Sequence, residues 1–328
     1  MIITKTPFRI SFAGGGSDLA GYYTREPGAV LSTAIDKYIY IAVKDHFEQT
    51  FRVSYSQTEI VDRADQIQHR IVRESLGMLG VTRGLEIVSM GDLPSRTGLG
   101  SSSSFTVGLL HALHAQQGRV ASPERLANEA CAIEIDRLHE PIGKQDQYIA
   151  AYGGLQFIQF NPDGTVFVDP VVCPLETRRE LNRRLIAFFT GYTRDARDVL
   201  TKQRDSIDEK LPVLRRMCAI ARELREVLTT GRDLNVFGAL LHEAWLAKRS
   251  LTDAISNGHI DAYYERGLRA GALGGKLLGA GGGGFLLFFC EPHNQNKLRS
   301  ELSELRELKF SLDPEGSKVV YVGVEQVY

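Results

Sequence analysis

The segment from residue 84 to about residue 115 limits the fold of this chain more than any other. It runs GLEIVSMGDL, then Pro94, then SRTGLGSSSSF, then an apolar periodic stretch from Phe105 to about Ala115. The order predicts a short buried strand, a glycine loop, and a helix beginning among the serines. A helix N-terminus leaves about four N–H groups unpaired and carries roughly half a positive charge. Gly98 and Gly100 let the backbone approach a ligand, and the serine hydroxyls add donors or ligands for a hard cation. Two readings compete. One is an anion-binding nest with no P-loop lysine; the other is a serine-rich N-cap after a flexible turn.

Other phosphate motifs fail on context. GALGGKLL places Gly275–Lys276 before Leu277, where a Walker A loop requires Ser or Thr. GAGGGG at 279–284 satisfies GxGxxG formally. A dinucleotide fingerprint needs a strand before the glycines and a helix after them. Here the pattern predicts a helix over about 260–278 before them and the strand FLLFF after them.

The rest of the chain alternates irregularly. IITKTPFRISFA and GAVLSTAIDKYIYIAVKDH read as strands on either side of GGGSD at Gly14–Asp18. Helices are expected at 63–79, 123–138 (Ser122 as N-cap, Pro123 first), most of 196–256, and 293–305. Strands are expected at 155–160, 166–172, 184–191 and from 318 onward. The order is not βαβα, so a doubly wound sheet is disfavoured and an α+β class follows. A boundary near 165–180 separates two mixed halves, taken as residues 1–170 and 171–328.

Charge excludes several functions: 39 Lys+Arg balance 40 Asp+Glu, so no basic surface points to nucleic acid. Cys131, Cys173, Cys218 and Cys290 form no CxxC pair, which fits a reduced chain without a disulfide framework or zinc site. No apolar run is long enough for a membrane span and no signal peptide is visible, so the expectation is a cytoplasmic protein. No oligomerisation motif stands out, and a homodimer is allowed.

Two carboxylates merit attention. In the 123–138 helix, Leu126, Ala130, Glu134 and Leu138 share one stripe, which puts Glu134 on the apolar face. A carboxylate there needs an ion pair or a metal. In PIGKQDQYIAAYGG, Asp146 sits in a polar segment where Lys144 supplies a countercharge. It is either a helix cap or a group that orients or deprotonates a hydroxyl. His111 and His114 have i, i+3 spacing but no third ligand, so they read as a surface or core pair. No GxSxG or HExxH appears, and Trp245 reads as core.

PFRISFAGGGSD, LPSRTGLGSSSS, GKQDQ and KLLGAGGGGFLLFF, in this order across nearly the whole chain, resemble the GHMP kinase superfamily. The first motif departs from the galactokinase pattern, with Gly-Gly-Gly-Ser-Asp in place of Gly-Glu-His-Thr-Asp. Together with SYSQTE and PIGKQDQYIAAYGG it more closely resembles the heptose 7-phosphate kinases and fucokinase-like enzymes, which phosphorylate an anomeric hydroxyl. The resemblance implies a two-domain α+β fold with mixed sheets packed by helices and a site in the cleft between domains. It implies ATP and Mg²⁺ as cofactors and a small sugar phosphate as acceptor, with no nucleic acid or membrane partner. Arg96, Thr97, Gly98, Leu99, Gly100, Ser101, Ser102 and Ser103 would hold ATP, and Ser102 with Glu134 would hold Mg²⁺. Ser101 and Ser103 stay open as the metal ligand, since four serines leave the register ambiguous. Asp146, Arg9 and Lys144 would be catalytic. Gly15, Gly16, Ser17, Asp18, Asp146, Arg194, Gly282 and Gly283 would bind the substrate. The implied reaction is transfer to O1 of a heptose 7-phosphate, giving a 1,7-bisphosphate. The alternatives are a fucokinase-like sugar 1-kinase and a non-catalytic sugar- or nucleotide-binding regulator.

Overall fold

The computed structural model describes residues 1–192 and 196–323. Its strands are β1 (Ile2–Ala13), β2 (Gly28–Asp45), β3 (Phe51–Ser54), β4 (Thr58–Val61), β5 (Leu85–Gly91), β6 (Leu155–Phe160), β7 (Val166–Pro170), β8 (Leu185–Phe189), β9 (Ala272–Leu277), β10 (Phe285–Cys290), β11 (Arg306–Leu308) and β12 (Lys318–Val322). Its helices are α1 (Ala20–Tyr23), α2 (Arg70–Met78), α3 (Ser101–Gln116), α4 (Pro123–Cys131), α5 (Gln145–Tyr152), α6 (Leu175–Arg184), α7 (Ala196–Asp205), α8 (Ile207–Thr230), α9 (Asn235–Arg249), α10 (Gly258–Arg269) and α11 (Pro292–Glu301). None is long and apolar enough to cross a membrane.

The strands form two sheets. The first has eight strands, ordered β12-β1-β2-β5-β3-β4, with β6 also pairing with β2 and β7 pairing with β6. β2 can serve two neighbours because it is 18 residues long: its first part pairs with β6 and its second with β5. The β3–β5 pairing is parallel and the others in this sheet are antiparallel. The second sheet is antiparallel, in the order β11-β8-β10-β9. The last strand, β12, returns to the first sheet beside β1. The chain is thus an α+β assembly of two sheets packed by helices.

Side-chain patterns explain these positions. β1 alternates between buried and half-buried side chains at its start, then is buried throughout from Thr6. Covering both faces of a strand removes the alternation. From Phe8 to Phe12 its side chains join the core of the second half, and Phe12 meets Phe237 edge-on at 5.3 Å. β10 (FLLFFC) is wholly buried between β8 and β9. α3 is apolar nearly all round, which suits a central helix; it packs on β1, β2, α4 and α5.

Three expectations change. The helix expected over 260–278 ends at Arg269, and Ala272–Leu277 forms β9. The cause is close packing. A Cβ on Gly274 would lie 2.0 Å from the Gly238 carbonyl oxygen, so the strand lies directly on α9. GAGGGG therefore joins two antiparallel strands and has no helix on either side. The helix expected over 123–138 gives way at Ala132 to a π-helical turn, Ala132–Arg137, which carries Glu134. Such wide turns are rare and often occur at functional sites. The helix expected over 63–79 begins only at Arg70, after a short 3₁₀ turn at Ala64–Gln66.

Candidate active site

The loop after β5 leads into α3 through Gly100, whose φ of 77° lies in the left-handed region. Gly100, not a serine, is the N-cap, and among the described residues no side chain caps the helix. The first-turn N–H groups of α3 are therefore left without a side-chain acceptor, the arrangement an anion uses. The serines follow inside the helix. Ser104 Oγ is buried and donates to Pro7 O at 2.8 Å, while Ser102 Oγ donates to Glu134 Oε1 at 2.6 Å. The serine-cap reading is thereby replaced. Thr97 is buried with its hydroxyl donating to Pro94 O at 3.0 Å, and Leu99 is a core residue. Arg96 is exposed, with a φ of 62°.

Glu134 is only 1% exposed. Gln147 Nε2 donates to its Oε2 at 2.7 Å, and no cation pairs with it among the described residues. Burial raises its pKa, opposed by hydrogen bonds from Ser102, Ser103 and Gln147, while the charge of Asp146 adds a smaller upward push. Sequence reasoning misses Gln147; a glutamine next to the apolar YIAAY run is the one available sign. Its Oε1 is buried without a hydrogen-bond partner among the described residues. A buried carboxylate with no countercharge, beside the hydroxyl of an exposed Ser102, suits a hard divalent cation that keeps its other sites for phosphate and water. Among the described residues, no three His, Cys, Asp or Glu side chains cluster as an all-protein metal cage.

The second carboxylate has a different partner. Arg9 projects from β1 and grips Asp146, at the start of α5, with two hydrogen bonds of 2.7 Å. Its third nitrogen donates to Gly98 O at 2.6 Å, in the glycine loop. This fork joins residues 137 positions apart in the chain. The Arg9 side chain is 6% exposed and that of Asp146 is 24% exposed, so the acid faces the opening. Gly100 is needed here too: a Cβ would lie 3.1 Å from Arg9 Cγ and 3.4 Å from Asp146 Oδ2.

Lys144 does not join this cluster. Its ammonium lies 4.7 Å from the centre of the Tyr23 ring and donates to Gly164 O at 3.3 Å. Arg9, from a distant strand, supplies the countercharge expected of Lys144, because α5 starts with Asp146 turned toward β1. Asp18 is 3% exposed; it accepts from Gly16 N at 2.8 Å and from Gln145 N at 3.2 Å, tying the first glycine loop to α5. Burial raises its pKa, those backbone hydrogen bonds oppose the rise, and Asp146 adds to it. Gly143 leaves room for this carboxylate, since a Cβ there would lie 2.0 Å from Asp18 Oδ2. Ser17 is fully buried; its hydroxyl donates to Gly14 O at 2.7 Å and accepts from Ala29 N at 3.0 Å, so its work is inside the loop. Gly15 stands beside Gln145, and Gly16 is buried beside Gln203. Gly282 N donates to Ile255 O at 2.9 Å, and Gly283 lies against Tyr192. Arg194 falls outside the described residues. His111 and His114 hold Ser317 and Glu129, respectively, and take no part in the site.

The third glycine run supports the second. A Cβ on Gly279 would lie 2.4 Å from Gly98 Cα, and one on Gly284 would lie 2.3 Å from Thr97 O. The β9–β10 turn thus forms a backbone floor under the loop that leads into α3.

Comparison with known proteins shows the family. The GHMP kinase N-terminal domain matches residues 60–154, and the GHMP kinase C-terminal region matches residues 219–307. The chain is 30% identical to the D-glycero-alpha-D-manno-heptose 7-phosphate kinase of Campylobacter jejuni, over 97% of this chain and 98% of that one. It is 28% identical to the bifunctional fucokinase/GDP-fucose pyrophosphorylase of Arabidopsis thaliana, over 92% of this chain but 31% of that longer protein. The crystal structure of a D-glycero-D-manno-heptose 1-phosphate kinase from Bacteriodes thetaiotaomicron shares the fold, with a TM-score of 0.83 over 99% of this chain and all of that one, at 21% identity. The chain belongs to the GHMP kinases and is an ATP-dependent phosphotransferase that acts on a sugar hydroxyl.

Proposed function

We propose that this kinase transfers the γ-phosphate of ATP to the anomeric hydroxyl of D-glycero-D-manno-heptose 7-phosphate, giving the 1,7-bisphosphate and ADP. The observation that carries the proposal is the Arg9–Asp146 fork against the uncapped start of α3. Phosphoryl transfer needs positioning and charge neutralisation more than covalent chemistry. The α3 N-terminus receives the phosphates of ATP. Asp146 orients the sugar hydroxyl and accepts its proton as the oxygen attacks phosphorus. Arg9, already at Gly98, meets the charge that develops on the transferred group. Ser102 and Glu134 would hold Mg²⁺, which supplies neutralising charge on the phosphate oxygens when bound. The loop at Gly15–Gly16, held by Asp18, is proposed to face the sugar, and Arg194 remains the proposed partner of its 7-phosphate. Residues 1–170 and 171–328 are proposed as the two domains that meet at this site.

The heptose assignment is supported by similarity along the whole length of the Campylobacter enzyme. A second reading, a fucokinase-like sugar 1-kinase, is supported by the match to the plant fucokinase over 92% of this chain. ADP release with Mg-ATP and fucose, mannose, galactose or heptose 7-phosphate separates the two. Turnover is expected with heptose 7-phosphate. Turnover of fucose alone moves the assignment to the second reading, and turnover of none rejects both.

A further inference from the structure

Two lysines lie beneath the glycine loops without an acidic partner among the described residues. Lys248, in the last turn of α9, is 8% exposed. Its ammonium donates to Leu277 O at 3.1 Å and also to Gly279 O. Lys276, in β9, is 4% exposed and donates to Phe12 O at 2.9 Å. Burying an amine without a countercharge is costly, and here the neighbouring charge is of the same sign, that of Arg9.

The carbonyls that Lys248 holds flank the turn leaving β9. That turn bears directly on the phosphate loop: a Cβ on Gly98 would lie 2.6 Å from Leu278 O, and one on Gly279 would lie 2.4 Å from Gly98 Cα. Gly98 O accepts from Arg9, and Arg9 holds Asp146. A continuous line of contacts therefore runs from α9 through both glycine runs to the reacting groups.

We propose that Lys248 is a positioning residue for phosphoryl transfer: it pins the Leu277–Gly279 turn, and through Gly98 it fixes Arg9 against Asp146. The role rests on the functions proposed above for Arg9 and Asp146. Lys248 touches neither substrate; it sets the height of the floor on which the phosphate loop rests. Its protonation is matched to that task. A neutral amine has two N–H donors for the two carbonyls, while the third N–H of an ammonium finds no acceptor among the described residues. Burial, and then the Arg9 charge, draw Lys248 down to about 7. The charge acting on it is that of Arg9 from β1, its neighbour Lys276 on β9 feels both Arg9 and Lys248, and Arg249 beside it on α9 is turned to Asp261.

The test compares Lys248→Met and Lys248→Gln with the wild-type enzyme in the ADP-release assay across pH 6 to 9. Trp245, the single tryptophan and one turn before Lys248, reports by fluorescence whether the core is intact. Lys248→Met is expected to lower kcat by about 10²-fold, the scale of a small misplacement of reacting groups, with KM for the sugar held. Wild-type kcat should rise through pH 7 as the neutral amine forms, and the Met variant should lack that rise. Lys248→Gln, which keeps two N–H donors on a shorter chain, should recover part of kcat without the rise. A folded Met variant with wild-type kcat and pH profile overturns the proposal. So do two variants that fail to fold, since Lys248 then serves the core alone. A wild-type enzyme inactive on every sugar breaks the functional reading and this role with it, whereas an active wild type beside an unchanged variant breaks this role alone.

Discussion

The two glycine runs around Gly98 and Gly281 have similar composition and opposite duties. The first ends in a left-handed Gly100 that leaves the start of a 16-residue helix without a side-chain cap, so its backbone donors have no side-chain acceptor among the described residues. The second turns between β9 and β10 and presses its backbone onto the first. Glycine allows a positive φ in both. The difference lies in the next element of the chain: a helix N-terminus concentrates donors and partial charge, whereas a strand uses its N–H groups in its own ladder. Glycine content alone therefore does not mark a candidate phosphate site; the element after the glycines decides whether free backbone donors are on offer.

The largest expected effect falls on the chemistry above the first run. Asp146→Ala should lower turnover by about 10²–10⁴-fold while ATP binding, followed by calorimetry, persists. Retained activity would remove Asp146 from the reaction.

The comparison between the runs is tested next by Gly98→Ala and Gly279→Ala. Both positions have positive φ, 81° and 69°, and each added Cβ would meet backbone within 2.6 Å. A left-handed L-residue costs roughly 1–2 kcal/mol by itself, so both variants should lose more than that in denaturant unfolding and lose activity together. Gly164→Ala has the same strain, with a φ of 86° and nothing within 4 Å, so it should show the strain alone and keep its activity. Equal losses in all three would mean that the two runs do not bear on each other.

Gln147→Leu should weaken Mg²⁺ dependence of turnover by about 10–100-fold, the usual cost of removing the group that orients a metal ligand. An unchanged Mg²⁺ titration would separate Glu134 from the metal.

The buried lysines under the second run predict a pH effect on stability. Lys248 is drawn down to about 7 and Lys276 well below its ordinary 10.5, both first by burial. The unfolded chain therefore binds more protons than the folded one between those values and 10.5. Stability should rise with pH through that window, and the lysine penalty should be fully felt below it. Lys276→Met should flatten the rise in melting temperature between pH 7 and 10; an unaltered slope would mean that the rise has another source.

The smallest effect is expected far from both runs. Ser122 Oγ accepts from Arg125 N at 3.2 Å at the start of α4. Ser122→Ala should cost about 1 kcal/mol in unfolding and nothing in kcat.

Much of this is legible before folding. The strand–glycine–helix order at 85–116 shows in composition and periodicity, and Glu134 declares itself as a carboxylate on an apolar stripe. The apolar FLLFF run announces a buried strand. β9 does not, because GALGGKLL lacks the β-branched alternation of a strand and takes its form from lying on α9. Sequence nearness points to Lys144 as the countercharge of Asp146, and Arg9 holds that place only because β1 lies beside α5 in space. Lys248 gives no sign, since a lysine near a helix end ordinarily faces water.

Residue order alone settles which segments can turn sharply, which faces must be buried, and which carboxylates sit in unusual company. These are local matters of backbone freedom and periodicity, settled within a few residues. The partners come from the folded chain: Arg9 with Asp146 across 137 positions, Ser102 with Glu134 across 32, and the second glycine run beneath the first. Periodicity tells which way a side chain faces, but not what the other end of a folded chain will bring to meet it.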